Sequence, residues 1–169
     1  GKFYLLFTTL DEGGYLLTTT DIEGEWEKKK LNDGFYDCGL LFDNDKIYVV
    51  YGINQLRIAE LDADFNKIPG SDKDVVKWSF REGLEGSRLY KIGEYYYIYS
   101  TYGGWPAFQT VFRSKDIYGP YEEKKLIDDD NIHQGALVET QTGEWWTMLF
   151  YDKGAYGRFP NLQPVKWVD

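Results

Sequence analysis

The chain has 169 residues, 43% of them hydrophobic, which is enough to bury the core of one domain. Its formal net charge of −9 provides no basic stripe to neutralise phosphates, and so argues against nucleic acid and anionic membranes as partners. The lone cysteine, Cys38, excludes an internal disulfide framework; no apolar run nears the ~20 residues of a membrane helix, and no signal-peptide pattern is present.

In chain order, GKFYLLFTT from Gly1 reads as the interior of a strand with no turn before it. The closing LQPVKWVD is also strand-like, and the two ends together predict a piece of something longer. The opening pattern, Gly or Asp, then a polar residue, then an aromatic-rich strand, returns as DKIYVVYG from Asp45, GEYYYIYST from Gly93 and GEWWTMLFYD from Gly143. A period of roughly 40–50 residues built of short strands is the mark of propeller blades. A second unit, a short strand with an Asp-Ile turn and then a charged strand ending in Leu, appears at 18–31 and 112–126, with a variant at 56–70. Helical periodicity is sustained nowhere, so the predicted helix content is very low.

The inner strand of each blade is expected just before the aromatic one, at 35–44, 85–92 and 133–140. The first aromatic strand has none before it. The fold class is therefore all-β: a β-propeller present as about three whole blades plus part of another. The expected division is an outer blade part at 1–31, blades at 35–70 and 80–126, and a last blade with its closing segment at 131–169. An open arc of this kind exposes strand edges and apolar faces, and predicts a second segment or chain that completes the ring.

Asp37, Glu85 and His133 begin the three inner strands. In a propeller those starts gather at one mouth of the central channel, so three residues remote in sequence are expected to converge there. Two neighbouring carboxyls push each other apart in protonation, which suits one of them to act as an acid. Glycosidic cleavage uses such a pair. Each residue also has a plainer reading. Asp37 can cap a turn after Gly34, Glu85 can pair with Arg88 or Arg81, and His133 can be a hydrogen-bonded core residue. The Asp-rich runs 43–45 and 128–130 lack the ligand alternation and glycine of an EF-hand loop and read as solvated turns. Cys38 reads as packing.

The segments YDCGLLFDNDKIYVVYG, IAELDADFNKI, LEGSRLYKIGEYYYIYS, RSKDIYGPYE, HQGALVETQTGEWW and GRFPNLQPVKW, in that order and spacing, resemble glycoside hydrolase family 43. Members are five-bladed propeller enzymes that remove xylose or arabinose from plant polysaccharides by inversion. The resemblance implies that Glu85 is the general acid, Asp37 its pKa modulator, and His133 a channel residue holding a water or a calcium ion. It places Arg158 as a substrate contact, and Phe35 and Trp105 are expected to join it at the sugar. Ser87 stands where many members have proline. The family's general base is an aspartate of the first blade, to which no residue here corresponds. The expected ligand is a xylo- or arabino-oligosaccharide, with no cofactor required beyond that candidate calcium.

Overall fold

A computed structural model describes residues 1–77, 79, 82–104, 106–127 and 132–168. Four antiparallel meanders follow one another along the chain. The first sheet is β1 (Phe3–Thr9), β2 (Gly13–Thr19) and β3 (Glu27–Lys30); the second is β4 (Gly39–Asp43), β5 (Lys46–Tyr51), β6 (Gln55–Leu61) and β7 (Lys73–Lys77). The third is β8 (Leu84–Ile92), β9 (Tyr95–Tyr102), β10 (Phe108–Ser114) and β11 (Glu122–Ile127). The fourth is β12 (Ile132–Glu139), β13 (Trp145–Asp152) and β14 (Arg158–Val165). The helical content among the described residues is one 3-10 turn, Gly154–Tyr156.

This is the expected blade architecture, with the aromatic repeats forming β1, β5, β9 and β13; the last three are second strands of their sheets, and β1 opens the first. It differs in one respect: the last sheet has three strands among the described residues, with β14 at its edge. The turns follow from local chemistry. Asn44 and Asp45, inside the Asp-rich run 43–45, both take left-handed backbone angles (φ 48° and 62°), as a tight two-residue hairpin requires. Asp43 accepts a hydrogen bond from the Tyr96 hydroxyl at 2.8 Å, so that run is a hairpin corner pinned to the next blade. The other run, 128–130, lies outside the described residues.

Strand alternation sends successive side chains to opposite faces. Val49 and Val50, both fully buried, show the consequence: the second sheet is covered on both sides. Val49 packs with Leu16, Leu31, Ala59 and Leu61 toward the first sheet, while Val50 packs with Ile58, Leu84, Ile98 and Phe112 toward the third. A third layer, built on Tyr99, Leu137 and Leu149, joins the third sheet to the fourth. The outward faces of the end sheets are left uncovered, with Phe3 and Leu5 exposed at one end and Val138, Met148 and Leu162 at the other. In this fan β4 lies against β8 and β8 against β12, so the inner strands stand side by side.

Candidate active site

The inner strands share one irregularity. In the third sheet Glu85 faces Thr101 and Arg88 faces Tyr99, three residues advanced against two. The fourth sheet repeats this, with His133 opposite Phe150 and Ala136 opposite Met148. In the second sheet Gly39 faces Val50, while the Tyr36 carbonyl accepts from the Gly52 amide at 3.0 Å, the same offset again. Each is a β-bulge, which bends the strand and re-aims the side chains at its start. The residue inside each bulge has a left-handed backbone: Asp37 (φ 50°), Gly86 (φ 66°) and Gln134 (φ 48°).

This register corrects the expected equivalence. Asp37, Glu85 and His133 do not hold one position; Glu85 and His133 match Tyr36, and Asp37 matches Gly86 and Gln134. Side chains next to these residues cross between blades, reaching Glu85 from Tyr36 and Asp37 from Gln134. The Tyr36 hydroxyl donates to Glu85 Oε2 at 2.9 Å. The Gln134 carboxamide donates to Asp37 Oδ2 at 3.4 Å, while its backbone N–H donates to Thr101 Oγ1 at 3.1 Å. A Cβ at Gly86 would stand 3.2 Å from both Gln134 Cγ and Thr101 Cγ2. Only glycine combines that approach with a left-handed φ. Gln134 therefore lies between the residue after Glu85 and the carboxylate of Asp37.

Glu85 is held from behind as well. Ser100 Oγ donates to the Glu85 carbonyl at 2.8 Å, and Ser87, completely buried, pairs with Ser100 at 3.0 Å. Asn54 Oδ1 accepts from the Gly83 and Leu84 amides at 2.6 and 3.2 Å, and so fixes the entry to β8. Arg88, a candidate partner for Glu85, instead donates to the carbonyls of Cys38 and Ser87, each at 2.9 Å. Arg81, the other candidate, is outside the described residues, as is Trp105. Tyr36 is 42% exposed, so its ring borders the open mouth. Its phenol is raised above the ordinary range, first by the hydrogen bond to Glu85, then by burial and by the Glu85 and Asp37 charges.

Phe35 is not at that surface. It is fully buried, edge-on to Tyr51 at 5.3 Å with Lys67 Nζ 5.8 Å from its ring centre, and its N–H donates to Thr8 Oγ1 at 2.7 Å. Phe35 turns into the layer between the first two sheets, among Leu16, Val49 and Leu61, and Tyr36, in the turn that follows, faces out. Cys38 is packing, as expected; burial pushes its thiol up to about 11, so it stays protonated near neutral pH.

His133 is buried, with its ring 4.4 Å from that of Phe150, and Arg158 Cζ stands 4.5 Å from the centre of the same Phe150 ring. Burial pulls the imidazole below its ordinary value and Arg158 pulls it further, against a smaller opposing effect of Asp152. His133 Nδ1 is buried without a hydrogen-bond partner. Such an orphaned nitrogen suits one water molecule. Calcium takes six to eight oxygen ligands; around His133 the structure places the Phe150 ring with the Arg158 guanidinium over it, and no cluster of three His, Cys, Asp or Glu occurs among the described residues.

Comparison with known proteins bears on what this mouth belongs to. The profile of glycosyl hydrolases family 43 matches residues 1–169. The chain belongs to glycosyl hydrolase family 43. Among family 43 relatives, it is 30% identical over 179 residues to a putative β-xylosidase of Xylanibacter ruminicola, covering 99% of this chain and 34% of that protein. It is 30% identical over 221 residues to a xylan 1,3-β-xylosidase of a Vibrio species, covering 100% of this chain and 41% of that one. A solved bifunctional GH43-CE protein from Bacteroides eggerthii superposes with a TM-score of 0.89 at 34% identity, over 100% of this chain and 24% of the other. The chain thus spans less than half the length of these family 43 proteins.

Proposed function

We propose that the chain carries the acid half of a family 43 glycosidase site that cleaves xylose- or arabinose-containing oligosaccharides with inversion. The observation that carries the reading is the pair of cross-blade contacts, Tyr36 to Glu85 and Gln134 to Asp37, which hold two carboxylates at the mouth of one channel. Glu85 serves as general acid: as the bond from the anomeric carbon to the leaving oxygen breaks, that oxygen takes the Glu85 proton. Asp37 sets the charge around it, and Arg158, stacked on Phe150, contacts the sugar. Water forms the new bond to the anomeric carbon from the opposite face and gives its proton to a base roughly 6.5–9.5 Å from the acid. By the resemblance to the family, that base is an aspartate of the first blade, supplied from outside these residues. The reading calls on no cofactor.

The test is hydrolysis of aryl β-xyloside and aryl α-L-arabinofuranoside by the chain alone and with a segment that restores the missing blade. Turnover is expected only in the second case, with loss in Glu85→Gln. Turnover by the chain alone that Glu85→Gln abolishes would show that a base lies within residues 1–169. The second reading is a carbohydrate-binding propeller without catalysis. Oligosaccharide binding that is indifferent to Glu85→Gln, with no turnover in either case, would select it.

A further inference from the structure

Glu85 meets a different neighbour at each carboxylate oxygen. Oε2 accepts the Tyr36 hydroxyl at 2.9 Å. Oε1 lies 2.8 Å from where a Cβ of residue 103 would stand, a space open only because that residue is glycine. Gly103 is itself fixed, its N–H donating to the Gly83 carbonyl at 2.8 Å. Tyr36 comes from the second sheet and holds there the bulge position that Glu85 holds in the third. The phenol therefore reaches across the blade boundary to a carboxyl at its own height in the channel. We propose that Tyr36 is the positioning residue of the acid: it occupies Oε2, so that the proton to be transferred is carried on Oε1, on the Gly103 side. The inference rests on Glu85 being the general acid, but the contact itself can be tested without substrate.

A phenol that donates to a carboxyl oxygen while being occupied by it cannot release its own proton without placing two negative charges together. The titration of Tyr36 thus reports the contact directly, in a way that packing alone would not move. The experiment is a pH titration of the 169-residue chain labelled at tyrosine Cζ, with Tyr36 identified by the resonance lost in Tyr36→Phe. Its midpoint is expected above the ordinary value of about 10, falling by at least roughly half a pH unit in Glu85→Gln, where the partner is neutral. Gly103→Ala, whose added carbon crowds Oε1, is expected to move the carboxyl and lower the midpoint in the same direction while the amide spectrum stays folded. An unchanged Tyr36 midpoint in Glu85→Gln would overturn the contact; a shift in Glu85→Gln but none in Gly103→Ala would overturn the assignment of Oε1 to the Gly103 side. Because the titration is read on the resting chain, it stands or falls separately from whether the chain hydrolyses a glycoside.

Discussion

The Gln134 carboxamide of the fourth sheet donates to the Asp37 carboxylate of the second, 97 residues away in sequence, and passes over Gly86 of the third to do so. One side chain thus spans three blades at the channel mouth. Removing its donor in Gln134→Leu is expected to destabilise the chain by about 1 kcal/mol, the usual scale for a part-exposed hydrogen bond to a charged group. Gln134→Glu is the sharper variant. It sets a second carboxylate against the first, and the pair in the folded chain takes up a proton more readily than the same groups do when unfolded. By linkage, the stability of this variant falls as pH rises through the carboxylate range, relative to the parent chain. Urea unfolding at pH 4.5 and pH 8 measures it; equal losses at the two pH values would mean that Gln134 and Asp37 do not touch in solution.

The entry to β8 depends on Asn54, whose left-handed backbone (φ 59°) aims its carbonyl oxygen at two amides, those of Gly83 and Leu84. Asn54→Gly keeps the backbone freedom and deletes the acceptor. The expected loss is about 1–3 kcal/mol, the range for leaving part-buried donors unpaired. Asn54→Ala adds left-handed strain of order 1 kcal/mol and should be worse. A Gly variant as stable as the parent in urea would show that water replaces the side chain at no penalty.

How much of this was legible beforehand divides by the type of signal. The propeller was readable because its signal is a repeat: four aromatic strands, the last three of which became the second strands of their sheets while the first opens its own. Glu85 and Asp37 stood out as candidates because carboxylates at strand starts are chemically conspicuous. Tyr36 and Gln134 were hidden by the bulges. Each inner strand carries the same extra residue, so positions match only when the bulges are superposed; matched by carboxylate instead, Asp37 looked equivalent to Glu85 when Tyr36 is. The patterns YDCG, EGSR and HQGA, superposed by their bulges, would have exposed both residues. Phe35 misled because an aromatic residue beside a site residue in sequence can turn into the core, as this one does.

Gly135 occupies the third place in the fourth sheet's bulge, where a Cβ would stand against the Met148 carbonyl oxygen at 2.0 Å. That obstacle is backbone, part of the β12–β13 ladder, and cannot swing aside as a side-chain tip can. Gly135→Ala is expected to cost about 3 kcal/mol or more, the upper range for overpacking. The loss should appear as a lowered urea midpoint with unchanged slope. A midpoint within experimental error of the parent's would show that β12 and β13 do not pair in this register.

His133 gives the fold a pH dependence of definite sign. Burial, helped by Arg158, lowers its pKa in the folded chain below the unfolded value of about 6.5. Above that value both states are neutral and the stabilisation is fully present. As pH falls through about 6.5 the unfolded chain gains a proton that the folded chain still refuses, so stability declines until the folded pKa is reached. Replacing the imidazole with an amide in His133→Gln removes the titration, so the variant should lose less stability than the parent as pH falls across that window, and the two stability curves should not run parallel. Urea unfolding at half-unit steps from pH 7.5 to 5 measures this, and parallel curves for parent and variant would place His133 in contact with solvent instead of against Phe150.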